Sequence, residues 1–160
     1  MKNLLPIAEK IAARLKQRGE TLGVAESSAG GLISAALVAQ PGASLFFVGG
    51  TVVYTIESRR RLVEIPDAAL KGIRASTEAY ALLAARAIRE RLRTTWGISE
   101  SGASGPPANR YGDPPGHACI AVSGAIERAL TIETGQADRV ENMIVFAEKA
   151  LEFLAESIGA

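Results

Sequence analysis

"TLGVAESSAGGLISAAL", Thr21–Leu37, decides how the rest of the chain is read. A short apolar run, "TLGVAE", has the composition of a buried strand. It passes through two serines and two glycines into "AGGLISAALVAQ", which has the composition of a helix stopped by Pro41-Gly42. A strand that feeds a helix through a small-residue turn is a unit of α/β architecture. With the strand ending near Glu26 and the helix starting near Ala29, Ser27 and Ser28 fall at the helix amino end. Backbone N–H groups there lack intrahelical partners and the helix dipole is positive. A hydroxyl in that place is an N-cap, a ligand for an anion, or a nucleophile whose oxyanion the N–H groups can hold. Gly30 and Gly31 let a ligand approach the backbone closely. The pattern is neither a P-loop, which ends in Gly-Lys-Ser/Thr, nor a Gly-x-Ser-x-Gly elbow. Glu26, on the extended strand beside Ser27, is expected to face the opposite way.

Outward from this stretch, strands and helices alternate. Leu4, Ala8, Ile11 and Leu15 repeat at helical spacing, so a first helix covers about residues 3–18 and ends at Gly19. "SLFFVGGTVVYT" reads as one or two strands, with Gly49-Gly50 marking a bulge or a close backbone approach. "ESRRRLVEI" and "DAALKGI" read as short helices. Ser76 is expected to cap a long helix with Tyr80, Leu83, Ala87 and Ile88 on one face. "WGISESGAS" reads as a strand. "GPPANRYGDPPG" is a loop by composition, since it holds four of the seven prolines. "HACIAVSG" and "RALTIETG" read as a hairpin. Val140, Ile144, Ala147, Leu151, Leu154 and Ile158 give the last helix. The sum is one α/β domain, residues 1–160, with a mixed sheet and helices on its faces.

The composition narrows the function classes. The 160 residues are 48% hydrophobic and 22% charged, enough for a real core. Eighteen basic and seventeen acidic residues leave a formal charge of +1, and aromatic residues make up 5%. That supplies neither the electrostatics nor the stacking platform of a nucleic-acid surface. No apolar run reaches the ~20 residues of a membrane span, and the charged amino end reads as an amphipathic helix. A cytoplasmic protein is expected. Cys119, alone, can form no internal disulfide and reads as buried filler. His117 and Cys119 are too few ligands for a zinc site, and His117 is expected to be structural.

In an open α/β sheet, the loops at the carboxyl ends of strands converge on the ligand crevice. Three such loops carry Ser27, Tyr54 and Ser101. Tyr54 is followed by Arg59, Arg60 and Arg61, at least one of which must be solvated.

Four segments, in order, then carry a resemblance: "AESSAGG" (25–31), "GGTVVYTIESR" (49–59), "SGASGP" (101–106) and "PPGHACIAV" (114–122). Together they resemble the motifs of the CinA carboxyl-terminal domain family, the nicotinamide mononucleotide deamidases. These motifs are Ala-Glu-Ser-Cys-Thr-Gly-Gly; Gly-Gly-x-Val-x-Tyr-Ser-Asn-x-x-Lys; Thr-Gly-Ile-Ala-Gly-Pro; and a Pro-x-Gly before a strand. The likeness spans nearly the whole chain. It implies a three-layer α/β fold with a mixed sheet, a homo-oligomer (dimer or larger), and a small-molecule nucleotide as ligand. It also implies hydrolysis of the nicotinamide amide to the nucleotide acid and ammonia, with no metal and no cofactor. Larger members carry an extra amino-terminal domain. Carried over, Ser27 is the nucleophile, Tyr54 lies beside it, and Arg59 stands where the family has a lysine that activates the serine. Ser28, Gly30, Gly31, Ser101, Gly102 and Arg139 become the substrate- and phosphate-binding set.

The sequence departs from that pattern in its chemistry. Arginine stays charged at any ordinary pH and is a poor general base. Ser28-Ala29 replaces Cys-Thr, Thr55-Ile56 replaces Ser-Asn, and Ser101-Gly102-Ala103-Ser104 follows Glu100. Met143 takes the place of a second arginine in the last helix. Two functions therefore stand side by side: an amidohydrolase in which Tyr54, beside a charged Arg59, takes the serine's proton, and a non-catalytic homologue that keeps an anion pocket or an assembly role.

Overall fold

The computed structural model covers residues 1–160. Its five strands are β1 (Leu22–Glu26), β2 (Phe47–Val52), β3 (Trp96–Ala103), β4 (His117–Ser123) and β5 (Glu127–Glu133). They form one sheet in the order β2-β1-β3-β4-β5. β1 runs parallel to both β2 and β3, while β3-β4 and β4-β5 are antiparallel. The expected mixed sheet and late hairpin are both present.

Helices cover the two faces. α1 (Leu4–Arg18), α2 (Leu32–Val38) and α5 (Arg139–Ile158) pack on one side around the largest core, which contains Leu4, Ile11, Leu15, Val24, Ile33, Ile98, Ile120, Phe146 and Leu151. α4 (Glu78–Leu92) packs on the other, with Ala25, Tyr80, Ala84 and Ile88 in one cluster and Ala81, Ala85, Cys119 and Ala121 in another. α3 (Ile56–Leu62) and a 3₁₀ turn (Asp67–Leu70) follow β2 on the way to α4.

Alternation along the strands explains the layers. Leu22, Val24 and Glu26 of β1 face the α2 side, whereas Ala25 faces α4. Ile98 and Glu100 of β3 share the α2 side, and Ser99 on the other face donates to the Ala81 carbonyl.

Several local expectations are corrected. α2 is seven residues long and begins at Leu32, because Gly31 at φ 103° lies outside right-handed helical geometry. Its first turn has no serine cap. The cap of α4 is Thr77, whose hydroxyl accepts from the Tyr80 N–H; Ser76 precedes it at φ 58°. The bulge in β2 falls at Val48, where the β1 register shifts between Phe47 and Gly49. Gly50 meets α2 so closely that a Cβ there would lie 2.2 Å from Ser34 Oγ. Val140 is exposed at the start of α5.

Candidate functional site

The carboxyl ends of β1, β2 and β3 open onto one cavity of about 920 Å³. Its size suits a nucleotide-sized ligand. Ser27 and Ser28 follow β1, Tyr54 follows β2, and Ser101 and Gly102 end β3; all five line it. Arg59 and Arg60 of α3 form another wall, and Arg139 enters from the start of α5. Ser28, Arg59, Ser76, Tyr80 and Ser101 are buried, whereas Tyr54 is 59% exposed and lies at the mouth.

Five arginines (59, 60, 74, 110 and 139) line this cavity against two carboxylates, Glu57 and Asp67. Arg74 is held outside the balance, paired in bidentate fashion with Asp113 at 2.7 and 2.8 Å. Arg59 and Arg60 share Asp67. Arg139 spends its guanidinium on neutral groups, donating to the Gly105 carbonyl and the Tyr54 hydroxyl, both at 2.6 Å. The lining therefore carries uncompensated positive charge suited to a phosphate or carboxylate. Of the arginine triplet, Arg61 is the solvated member and pairs with Glu57.

The turn at 26–34 differs from its expected chemistry. Glu26 does face away from the cavity, but its carboxylate occupies the amino end of α2. Oε2 accepts from the N–H groups of Gly31 and Ile33 at 2.8 and 3.1 Å. Oε1 accepts from the Ser34 N–H and hydroxyl at 3.0 and 2.6 Å. Gly30 donates to the Ser27 carbonyl. These N–H groups are thus turned from the cavity, and neither Gly30 nor Gly31 lines it. Gly30 is exposed, and a Cβ built there would lie 2.6 Å from Met143 Cε.

A second carboxylate under the turn escapes the motif reading. Glu100 Oε2 accepts from the Ser27 N–H at 3.0 Å and the Ala29 N–H at 2.8 Å. Glu100 is 2% exposed, and its Oε1 is buried without a partner. Burial pushes its pKa up to about 7 and the Glu26 carboxylate adds to this, against the bonds from the Ala29 and Ser27 N–H groups and the influence of the Ser28 hydroxyl. The signal was visible in "WGISESGAS": a single acid inside an otherwise apolar or small-residue strand.

The three serines differ in their bonding. Ser28 Oγ accepts from the Gly102 N–H at 3.0 Å, and Ser101 Oγ accepts from the Ser76 N–H at 3.2 Å. Ser27 is half-buried against the cavity. Tyr54 and Arg59 share that cavity, but Tyr54 bonds Arg139 and Arg59 pairs with Asp67. The ring nitrogens of His117 meet the Ser76 carbonyl and Glu133. No group of His, Cys, Asp and Glu is arranged to hold a metal ion. No helix is long and apolar enough to cross a membrane.

Comparison with known proteins supports the resemblance. The CinA C-terminal domain profile matches residues 4–158. The CinA-like protein of Gloeobacter violaceus is 36% identical over 155 residues, 95% of this chain and 36% of that protein. The CinA-like protein of Myxococcus xanthus is 36% identical over 156 residues, 96% of this chain and 37% of that protein. The chain thus spans little more than a third of the length of these two relatives. Among solved structures, competence/damage inducible protein CihA of Agrobacterium tumefaciens superposes with a TM-score of 0.87 at 25% identity, covering 99% of this chain and 96% of that one. A CinA superfamily protein of Klebsiella pneumoniae 700603 gives 0.90 at 24% identity, covering 98% of both chains, a likeness of fold. By its motifs, its fold and its match across residues 4–158, this chain belongs to the CinA C-terminal domain family.

Proposed function

We propose that this domain hydrolyses the carboxamide of an anionic pyridine nucleotide, with nicotinamide mononucleotide as the type substrate, to the nucleotide acid and ammonia. One observation carries the reading: a single cavity sets serine hydroxyls on its floor against a wall of arginines. The arginines match a phosphate, and the hydroxyls match an electrophilic carbonyl. Ser27 stands at the position of the nucleophile in the resemblance. Arg139, which donates to the Tyr54 hydroxyl at the mouth, is read as the residue that takes the charged end of the ligand.

A specific observation also favours a second reading, a homologue that binds the nucleotide without turning it over. Arg59 stands where the resemblance has a lysine, and its buried guanidinium is locked to Asp67. A side chain in that state cannot accept a proton from a serine.

The purified protein is incubated with nicotinamide mononucleotide and ammonia is followed, beside Ser27→Ala, Ser28→Ala and Arg59→Lys. Turnover in the wild type that is lost in a serine variant supports the hydrolase. Binding without turnover in the wild type, with turnover gained in Arg59→Lys, supports the non-catalytic homologue.

A further inference from the structure

We propose that Ser28 and Glu100 are the nucleophile and proton acceptor of this site, a pair that stands in for the serine and lysine of the family pattern. The inference rests on the amidohydrolase reading of the cavity.

Glu100 Oε2 is gripped by the N–H groups of residues 27 and 29, the two neighbours of Ser28 in the chain. The carboxylate is therefore pinned under residue 28, with Oε1 buried and unpartnered. Ser28 lines the cavity, and Glu100, bonded to the residues on either side of it, does not. Its Oγ already accepts the Gly102 N–H at 3.0 Å, which fixes the oxygen and leaves its own proton to be given away. Its hydroxyl is also among the groups that favour the charged form of Glu100. Ser27, by contrast, has only its backbone N–H on Glu100.

The other candidate bases are committed elsewhere. Asp67 and Glu57 are exposed and paired with arginines. Tyr54 accepts from Arg139, and His117 is bonded on both nitrogens and does not line the cavity. The charged group acting on Glu100 is Glu26 of β1. α2, which covers this face, has no ionisable side chain, and on α5 Glu141 is exposed and Arg139 is turned to Tyr54 and Gly105. A carboxylate that burial and a like charge push toward neutrality is a stronger base than one in water, and it is matched to a neutral working pH.

The chemistry balances with water as the only co-reactant. Ser28 Oγ bonds to the amide carbon as its proton passes to Glu100 and the carbonyl electron pair moves to oxygen. The C–N bond then breaks, Glu100 returns the proton to nitrogen, ammonia leaves, and an ester to Ser28 remains. Water adds to that ester, giving a proton to Glu100. The C–Oγ bond breaks, Oγ takes the proton back, and the nucleotide acid is released.

A fluorophosphonate reagent tests the pair without a nucleotide. Ser–O–P forms, P–F breaks, fluoride leaves, and the serine proton goes to its base. The wild-type protein is labelled across about pH 5 to 9, and the adduct is located by tandem mass spectrometry. Expected is an adduct on Ser28, retained in Ser27→Ala, whose rate rises with pH to a plateau and has its midpoint near 7. In Glu100→Gln that pH dependence disappears and labelling slows by about 10²-fold or more. The wild-type profile holds whether or not the variant folds well. An adduct on Ser27, an undiminished rate in Glu100→Gln, or no adduct in the wild type overturns the pair. Ser28 labelling without ammonia release from nicotinamide mononucleotide removes the substrate reading and leaves the pair. Ammonia release undiminished in Ser28→Ala does the reverse.

Discussion

Arg59 and Asp67 form an ion pair on the cavity wall in which the guanidinium side chain is 8% exposed and the carboxylate 60%. Asp67 thus meets the arginine from the solvent side, while the arginine's Nε is buried without a partner. A lysine in the same place would inherit Asp67 as its counter-ion and keep its proton. Arg59→Lys is therefore expected to leave the rate of ammonia release within about threefold of the wild type, far inside the ~10²-fold effect of a general base. A larger gain, measured by a coupled ammonia assay, would put the base at position 59.

The clasp around Glu26 makes a prediction about stability. Four hydrogen bonds end on its carboxylate, three from backbone N–H groups of α2 and its lead-in. Glu26→Ala strands those donors beside the core. With each buried unsatisfied donor costing about 1–3 kcal/mol, a net loss of about 3 kcal/mol or more is expected in urea denaturation. Glu26→Gln keeps an acceptor and should lose about 1 kcal/mol.

Glu100 gives the domain a distinctive pH response. Its folded pKa is about 7, above the ordinary glutamate value, so the native state binds the extra proton between those two pH values. Stability then falls as pH rises through that window and levels off above it. His117 acts in the same direction, because although burial opposes its charge, Glu133 and the Ser76 carbonyl hold it raised. Its stabilisation is full below the ordinary histidine value and is lost as pH rises through the folded value. Melting temperatures at about pH 5, 6, 7 and 8 should decline in the wild type. The slope should shrink in Glu100→Gln and in His117→Asn, and shrink further in the double variant.

The same residues show what a sequence discloses. Periodicity placed α1, α4 and α5, because each buries one face and exposes the other; the β4-β5 hairpin was legible as two short runs, "HACIAVSG" and "RALTIETG", although β4 is buried on both faces. The motif loops placed Ser27, Tyr54 and Ser101 at one cavity, because the carboxyl ends of neighbouring parallel strands lie side by side. It could not say which N–H groups at residues 27–34 were free. That depended on two carboxylates from different strands, Glu26 and Glu100, whose proximity follows only from the β1-β3 register that pairs Ala25 with Ser99. Ser76, the expected cap of α4, gives way to Thr77 because Ser76 sits at a positive φ.

Arg139 joins the mouth of the cavity to its ligand chemistry. Its present partners are a carbonyl and a phenol, both neutral, so an incoming phosphate would gain a charge-assisted contact. Such contacts are worth about 1.5–3 kcal/mol, so Arg139→Ala should weaken binding of nicotinamide mononucleotide about tenfold or more at low salt by calorimetry. Tyr54→Phe, which removes a neutral partner of the guanidinium, should change affinity by less than about threefold.

The last prediction concerns the scaffold under the site. Gly97 of β3 lies directly beneath α4, and a Cβ there would stand 2.1 Å from the Ala85 carbonyl oxygen and 2.8 Å from Arg89 Cβ. The nearest of these atoms is helix backbone, which cannot swing aside as a side-chain tip can. Gly97→Ala must push α4 off the sheet, disturbing the small-residue contact of Ala81 and Ala85 with Cys119 and Ala121. Overpacking of this kind costs about 1–3 kcal/mol. Because α4 also presents Tyr80 to the cavity, the displacement should reach the site. Denaturant midpoints should fall in Gly97→Ala, and fluorophosphonate labelling should lose rate with them. Gly19→Ala makes a contrasting control: it has open space for a methyl group but a φ of 62°, so it should cost stability through backbone strain and leave labelling unchanged.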